Sequence, residues 1–582
     1  MTITTDDRTI ELDNEQRRVA EAPAEERLYV TAGPGSGKTE TVSARIQHLL
    51  EAENLSGNEV LVISFSRAAV EAIQRRQRLN GARSWVWVTT LDSLATRILS
   101  DTEVDVTGLG FDTRIKRLAQ LLANDEIEDP LPDVRHVIID EAQDVVGVRA
   151  ALVRLLLESL PEDVGFTMLG DPRQGIYDFQ LEENFDDPEF LLQAAQDLNA
   201  VDVELRGQYR AQTDDARLAM TLRGTDRADL AWINEMQRFV TGKPSFDLDG
   251  LAEQLNGSAG DVAILTQSNA QALTVARRLQ ERGVQIELLA RAADRSIDPW
   301  LAKAFADAPG SLTRDQFEEL AVAVAPIDPS EAWSLCRRIT SGTTKYLNVR
   351  ELTQRLASGI VPVALTRQRE HIAVSTVHRA KGLEFDQVML LDPGEWYGEQ
   401  DAVYGRVLYV AITRPRRRLF TFTRDKASQY WHTDDRTERA FRTNYKGKGT
   451  TGFEIRGSDW REPQPPAADE DPRSAQELLR TLASAGTPVP VDIRFNAYES
   501  TLSRPRYDAY VDDVHIGTLG ERFIEAFNRR LGKHDGWPNI AGTYFAGVET
   551  VAGPPQAGPV GSNGLWLSPL IVGPADLDWR KA

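Results

Sequence analysis

One cysteine, Cys336, occurs in the 582 residues of this chain. Disulfides, zinc ribbons and thiolate-held iron–sulfur clusters built within the chain are therefore excluded. Also missing is any run of the roughly 18 uncharged apolar residues a membrane helix needs, so no membrane partner is expected. The opening residues, MTITTDDRTIELDNEQ, are polar and acidic. They lack the basic start and apolar stretch of a secretory signal, which points to the cytoplasm. Positive charge is in deficit: 67 Lys and Arg stand against 88 Asp and Glu, a formal net charge of −21. Phosphate binding requires Lys and Arg, so a protein that coats nucleic acid by bulk attraction is excluded. Any nucleic-acid surface must be a confined groove.

The remainder is the composition of a globular protein, with 41% hydrophobic and 27% charged residues. Its length calls for several domains. Short apolar runs alternate with helical stretches: Leu28–Ala32, Val60–Ser66, Trp85–Thr89, His136–Asp140 and Gly165–Asp171, then Asp261–Gln267, His371–Val377 and Asp386–Asp392. Runs of this length, apolar on both faces, read as buried parallel strands of doubly wound α/β domains. They fall into two groups, one ending near Gln208 and one beginning at Asp261. From Arg456 to Arg473 the sequence, RGSDWREPQPPAADEDPR, is rich in Pro and acid and reads as a linker.

The first strand runs into AGPGSGKT (Ala32–Thr39) and then into a helical segment, the context a P-loop requires. Gly33, Gly35 and Gly37 allow backbone N–H groups to curl around phosphate oxygens at a helix N-terminus. Lys38 reaches the β- and γ-phosphates of ATP, and Thr39 offers its hydroxyl to Mg²⁺. A chance glycine loop is the alternative, and the flanking strand and helix disfavour it. HVIIDEAQD then describes a buried strand delivering Asp140 to its C-terminal edge, where open α/β sheets bind ligands. Asp140 would hold Mg²⁺ and Glu141 would orient or deprotonate the attacking water.

AGPGSGKT together with DEAQD resembles the UvrD/Rep group of superfamily 1 helicases, and further motifs of that family follow in order. LDNEQRRV resembles the Q motif, VISFSRAAVEAIQRR motif Ia, and TTLDSLATRIL the next DNA-contacting motif. MLGDPRQGIYDF resembles motif III, RGQYR motif IV, STVHRAKGLEFDQVML motif V and LYVAITRPRRRLF motif VI. The resemblance implies two RecA-like P-loop motor domains with parallel sheets, over residues 1–208 and 209–455. Small helical insertions fall at about 98–135 and 286–370. A linker with a short helix (456–486) and a small C-terminal α+β module (487–582) complete the chain.

For the nucleotide, the resemblance implies that Gln16 reads adenine and Tyr209 stacks on it, with Glu384 a further contact. Gln174 senses the γ-phosphate, and Arg210 and Arg414 act as arginine fingers. On physical grounds such fingers stabilise charge on the γ-phosphoryl group, worth about 10³–10⁵ in rate. Isolated arginines of this kind would otherwise read as surface ion pairs of about 0–1 kcal/mol. For the track, the resemblance implies a single DNA strand contacted by Phe65, Arg67, Thr90, Tyr177, Phe179 and His378, moved 3′ to 5′. Base–aromatic stacking is worth roughly 1–3 kcal/mol and tolerates any sequence. The alternative for the aromatics is a place in the core. RNA stays open as the track, because no 2′-hydroxyl reader is visible.

Several features depart from the pattern. Gln180 follows Phe179 where the family continues with Trp-Arg-Gly-Ala, and Pro415 directly follows the finger. Only residues 100–135 separate TRIL from the DEAQD strand, and only 284–370 separate the second domain's opening from its motif V strand. Both accessory insertions of the family are cut down, which favours strand translocation over processive unwinding. A second expectation is therefore an ATP-gated DNA-sensing subunit whose nuclease is another chain, engaged through the C-terminal module. In that module AYVDDVHIGTLGERFIEAF resembles, over one short segment, the HIRAN module that binds DNA ends in other helicases. A small α+β interaction domain is the reading kept.

Overall fold

In three strands of the first sheet, Val60–Ser64, His136–Asp140 and Gly165–Gly170, every residue is buried, as both-faces-apolar segments must be. The computed structural model describes residues 2–579. Residues 6–7, 65–85, 103–110, 177–189, 224–229, 290–295, 341–344, 358–360, 362–364, 368–370, 396–401, 425–429, 435–436, 438, 445–448, 463, 467–470, 484–488, 490, 502–503 and 532–535 fall outside this description.

The strand order of the first sheet is Trp87–Thr89, Val60–Ser64, His136–Asp140, Gly165–Gly170, Arg27–Ala32, Val201–Leu205, all parallel. The two-residue period of a strand divides its side chains between two cores. Leu28, Val30, Val60, Val62 and Ile138 pack with Val42, Ile46 and Leu49 of the Lys38–Glu51 helix. On the other face, Tyr29, Leu61, Ile63, Val137 and Ile139 pack with helices Leu91–Asp101, Phe111–Ala123 and Val148–Glu158. The P-loop and the ends of the strands at Asp140 and Gly170 thus share one edge of the sheet.

A second six-stranded sheet has the order Glu287–Leu288, Ile372–Thr376, Val262–Thr266, Phe385–Leu391, Pro415–Phe422, Ser245–Phe246. After Gly283, helices Trp300–Phe305, Arg314–Val322, Pro329–Ile339 and Val349–Ala357 form a small helical subdomain around Phe305, Phe317 and Cys336.

The chain divides into two compact units. One comprises Met1–Pro244 with Lys381–Val388 and Tyr397–Phe420; the other comprises Ser245–Ala380 with Met389–Trp396 and Thr421–Ala582. P-loop, DEAQD, RGQYR, the Glu384 segment and Arg414 all belong to the first.

The C-terminal region differs from its sequence reading. Strands Trp431–Thr433, Ala440–Thr443 and Thr450–Ile455, assigned above to the second motor domain, join a nine-stranded sheet with the chain's last strands. Thr450–Ile455 pairs antiparallel with Leu565–Asp578, Phe453 opposite Ala575. The stretch after Arg456 is not a free linker either. Gly457–Trp460 forms a 3-10 helix, Trp460 is 2% exposed, and its indole N–H donates to the Ile571 carbonyl at 2.9 Å. Asp459, equally buried, accepts from Arg439 at 2.8 Å. One aromatic and one buried ion pair are enough to fix a segment whose Pro and acid content reads as solvated. Helix Pro472–Leu482 follows, its Gln476 amide exchanging hydrogen bonds with the Leu567 backbone.

Candidate nucleotide site

The loop between Ala32 and Lys38 turns through left-handed backbone at Gly35 (φ 76°) and Gly37 (φ 83°). Side chains are excluded there for a second reason. A Cβ on Gly35 would lie 2.3 Å from Gln208 Oε1, and one on Gly37 2.3 Å from Gln16 Nε2. Gln16 therefore touches the loop directly, donating from Nε2 to the Ser36 carbonyl while its Oε1 accepts from Asp13 N in a capping box. Tyr209 is 56% exposed, donates its backbone N–H to the Gly35 carbonyl at 2.8 Å, and donates its hydroxyl to Asp13 Oδ2. Burial and then the Asp13 bond push its pKa up to about 12. Gln16, Asp13 and Tyr209 make one wall beside the P-loop, with an exposed ring face on which a base can stack.

Lys38 Nζ donates to Glu141 Oε2 at 3.1 Å. Glu141 sits in left-handed backbone (φ 54°), an uncommon and strained conformation for a residue with a side chain. Its neighbour Asp140 accepts from the Glu141 N–H at 3.0 Å. Burial, then the adjacent Glu141 charge, push Asp140 up to about 7. Burial also raises Glu141, but Lys38 and Lys381 outweigh it and hold this acid down at about 2. The two neighbouring carboxylates are thus driven apart, one raised by burial and the other held ionised by its lysines.

Among the described residues no group of three or more His, Cys, Asp or Glu could hold a metal. A hydroxyl at Thr39 and one buried carboxylate at Asp140 are hard oxygen donors. They fit Mg²⁺, which is bound by one or two such ligands together with nucleotide phosphates and water.

Gln174 is 4% exposed and lies at the centre of the site. Its Nε2 donates to Asp171 Oδ2 at 2.9 Å, and its Oε1 accepts from Arg414 Nη2 at 3.1 Å. Arg414, 1% exposed, also donates to the carbonyls of Val410 (3.0 Å) and Leu383 (3.4 Å). Burial, then the nearby Arg210 charge, pull its guanidinium down to about 9, still charged at neutral pH. Arg210 donates to Glu384 Oε1 at 2.7 Å and to the Thr413 carbonyl at 3.3 Å. Glu384 is thus paired to Arg210, with Arg416 on its second oxygen at 3.3 Å.

Lys381, Asp144 and Asp171 stand inside recognisable motifs without a role read from sequence. Lys381 donates to Asp144 and to the Gln174 carbonyl, tying the end of DEAQD to Gln174. Asp171 is fully buried and gathers N–H bonds from Arg173 N, Gln174 and Arg223. Arg223 lies beyond every motif, and no sequence signal marks it.

Of the proposed strand contacts, Thr90 caps the Leu91–Asp101 helix and lines a cavity of about 480 Å³ with Ser64, Asp92, Asp140 and Arg149. His378 lies on the short helix Val377–Ala380 of the other unit. Phe65, Arg67, Tyr177 and Phe179 lie outside the described residues.

A family model described as an AAA domain matches residues 15–180, and one for the UvrD-like helicase C-terminal domain matches residues 371–421. Over these two segments the chain is similar to the UvrD-like superfamily 1 helicases. The ATP-dependent DNA helicase UvrD1 of Mycobacterium tuberculosis (strain ATCC 25618 / H37Rv) is 32% identical over 120 residues, 19% of this chain and 16% of that protein. PcrA of Staphylococcus aureus (strain Mu50 / ATCC 700699) is 39% identical over 88 residues, 15% of this chain and 12% of its own. DNA helicase II of Escherichia coli (strain K12) is 33% identical over 94 residues, 16% and 13% of the two chains. The aligned segments thus span well under a fifth of each UvrD-like relative. Among solved structures, Pif1 helicase from Candida albicans aligns at 16% identity and a TM-score of 0.37, over 72% of this chain and 96% of that one. That superposition is too loose to say more.

Proposed function

We propose that this UvrD-like chain is an ATP-driven translocase on single-stranded DNA, moving 3′ to 5′ and coupling hydrolysis to strand movement or unwinding. The observation carrying the reading is the gathering of Lys38, Glu141, Gln174 and Arg414 in one compact unit, with Lys38 bonded to Glu141, Arg414 to Gln174, and Lys381 joining Asp144 of DEAQD to the Gln174 carbonyl. ATP enters with its base against Tyr209 and Gln16 and its phosphates over Gly33–Thr39. Lys38 leaves Glu141 for the β- and γ-phosphates. The freed Glu141 carboxylate orients the water that attacks the γ-phosphorus and takes its proton, while ADP departs with the electron pair of the broken P–O bond. Gln174, Arg414 and Arg210 donate to the γ-phosphoryl oxygens as charge spreads over them. Thr39 and Asp140 would hold Mg²⁺, which neutralises phosphate charge when bound.

A second reading is favoured by the net charge of −21 and the short segments at 100–135 and 284–370. In it the chain is an ATP-gated DNA-sensing subunit of a repair, recombination or anti-phage complex, with the nuclease on another chain. Two measurements separate the readings. Mg²⁺-dependent hydrolysis is assayed with matched DNA and RNA strands, and purified protein is given duplexes carrying a 3′ or a 5′ tail. Strand-stimulated ATPase with unwinding from the 3′ tail supports the translocase. Stimulation without strand displacement or movement supports the sensor, and greater stimulation by RNA overturns the DNA assignment.

A further inference from the structure

Asp171 is a carboxylate with no exposed surface, and a buried charge of this kind is tolerated only with a cation and donors around it. Its cation is Arg223, whose Nη2 donates to Asp171 Oδ1 at 3.3 Å and whose Nη1 donates to Glu204 Oε1 at 3.0 Å. The same guanidinium lies against the P-loop, since a Cβ on Gly33 would stand 3.7 Å from Arg223 Nε. The segment carrying it is pinned by Trp232, which donates to the Leu222 carbonyl at 2.7 Å, and by Tyr409, which donates to the Met220 carbonyl at 3.5 Å. Tyr409 belongs to the Ala402–Ile412 helix, whose Val410 carbonyl accepts from the finger Arg414. A closed ring results: Arg223, Asp171, Gln174, Arg414, the Ala402–Ile412 helix, and back to the backbone before Arg223.

The chemistry of the ring's members fixes its sense. A carboxylate only accepts and a guanidinium only donates. Between them, the Gln174 amide has one satisfied orientation, with NH₂ toward Asp171 and Oε1 toward Arg414.

We propose that Arg223 is a positioning residue for the reaction: it holds the Asp171 carboxylate in place, and Asp171 sets the orientation of the Gln174 amide. The inference rests on the ATPase reading above. Without Arg223, Asp171 is a buried charge that has lost its cation and moves to find another donor. That movement gives Gln174 a second amide orientation in which its NH₂ opposes Arg414.

The test uses the full chain and four proteins: wild type, Arg223→Gln, Arg223→Lys and Arg223→Gln with Asp171→Asn. Strand-stimulated kcat and KM are measured beside the affinity for a fluorescent ATP analogue. Arg223→Gln is expected to lower kcat about 10–100-fold, the loss typical when outer partners that orient metal ligands are removed, with nucleotide affinity within about threefold of wild type. Arg223→Lys keeps the charge and should recover most of the loss. Adding Asp171→Asn to Arg223→Gln removes the orphaned charge and should raise kcat above that of Arg223→Gln alone, a non-additive pair. Wild-type kcat in Arg223→Gln, a strictly additive double variant, or a parallel loss of kcat and nucleotide affinity in all three variants overturns the proposal. A wild-type chain that binds no nucleotide overturns the ATPase reading itself, and this inference with it.

Discussion

Ending the chain at Gly457 should unfold the region from Ser245 onward, and the structure gives the scale. The cut removes Leu565–Asp578, the strand to which Thr450–Ile455 is paired, and with it the cover over Phe453 and Ile455. It also removes Phe523 and Phe527, whose rings pack edge-on against Phe453 at 5.8 and 5.3 Å. The helical subdomain loses Asn563, which donates to the carbonyls of Phe305 and Ala308, and Leu565, which shares the core of Trp300 and Phe305. Uncovering four large side chains at about 1.5–3 kcal/mol each costs about 6–12 kcal/mol, comparable with the 5–15 kcal/mol that typically holds a domain folded. Trp460→Ala is the milder version, expected to cost about 3–5 kcal/mol. Urea denaturation followed by circular dichroism reads both. A chain ending at Gly457 that melts cooperatively at the full chain's midpoint, or a Trp460→Ala midpoint unchanged from wild type, would refute the packing argument.

Lys38→Ala should abolish ATP hydrolysis and weaken nucleotide binding at least tenfold, by titration of a fluorescent analogue; full turnover would remove the P-loop from the mechanism. Arg414→Lys should lower kcat by about 10³–10⁵, as for arginine fingers elsewhere, because a lysine cannot keep the contacts to Gln174, Val410 and Leu383 together. His136 is fully buried between the Ala24 carbonyl (2.7 Å) and Thr167 (2.9 Å), and burial, then the Arg45 charge, lower its pKa to about 3. The unfolded chain binds this proton near pH 6.5 and the folded chain does not. Stability from this group is therefore complete above pH 6.5 and falls by up to about 1.4 kcal/mol per unit between there and pH 3. His136→Asn should flatten that dependence in denaturation midpoints, and an unchanged slope would reject it.

The strands of the first sheet were readable because burial on both faces leaves unbroken apolar runs, HVIID and GFTMLG among them. The P-loop was readable because phosphate binding constrains consecutive residues. Lys381 and Asp144 were visible as motif letters, but their pairing joins positions far apart in sequence. Nothing local to Arg223 forecasts Asp171 as its partner. The C-terminal sheet was hidden for another reason. Its longest strand, Leu565–Asp578, contains Pro569, Gly573 and Pro574, residues that normally argue against a strand interior. Its partners are brought to it from Thr450–Ile455, Asn539–Ala541 and Tyr544–Ala552, a non-local arrangement that no periodicity reveals.

Each charged group proposed to meet ATP already has a protein partner: Lys38 has Glu141, Arg210 has Glu384, and Arg414 has Gln174. Nucleotide binding then exchanges one set of charged hydrogen bonds for another, and its net strength depends on what is given up. The Lys38–Glu141 pair is the clearest case, since Lys38 must leave the carboxylate and the γ-phosphate must approach it. Glu141→Gln removes both the competing anion and its repulsion of phosphate. A hydrogen bond to a charged group is worth about 1.5–3 kcal/mol, and recovering about 1.4 kcal/mol of that corresponds to tenfold in affinity. Glu141→Gln should therefore bind ATP about tenfold more tightly than wild type, while losing the carboxylate that takes the water's proton and with it most turnover. Equilibrium titration with a slowly hydrolysed ATP analogue measures the first effect and phosphate release the second. Weaker binding by Glu141→Gln would mean that the pair supports the nucleotide-bound state rather than competing with it. Undiminished phosphate release would mean that another group handles the proton.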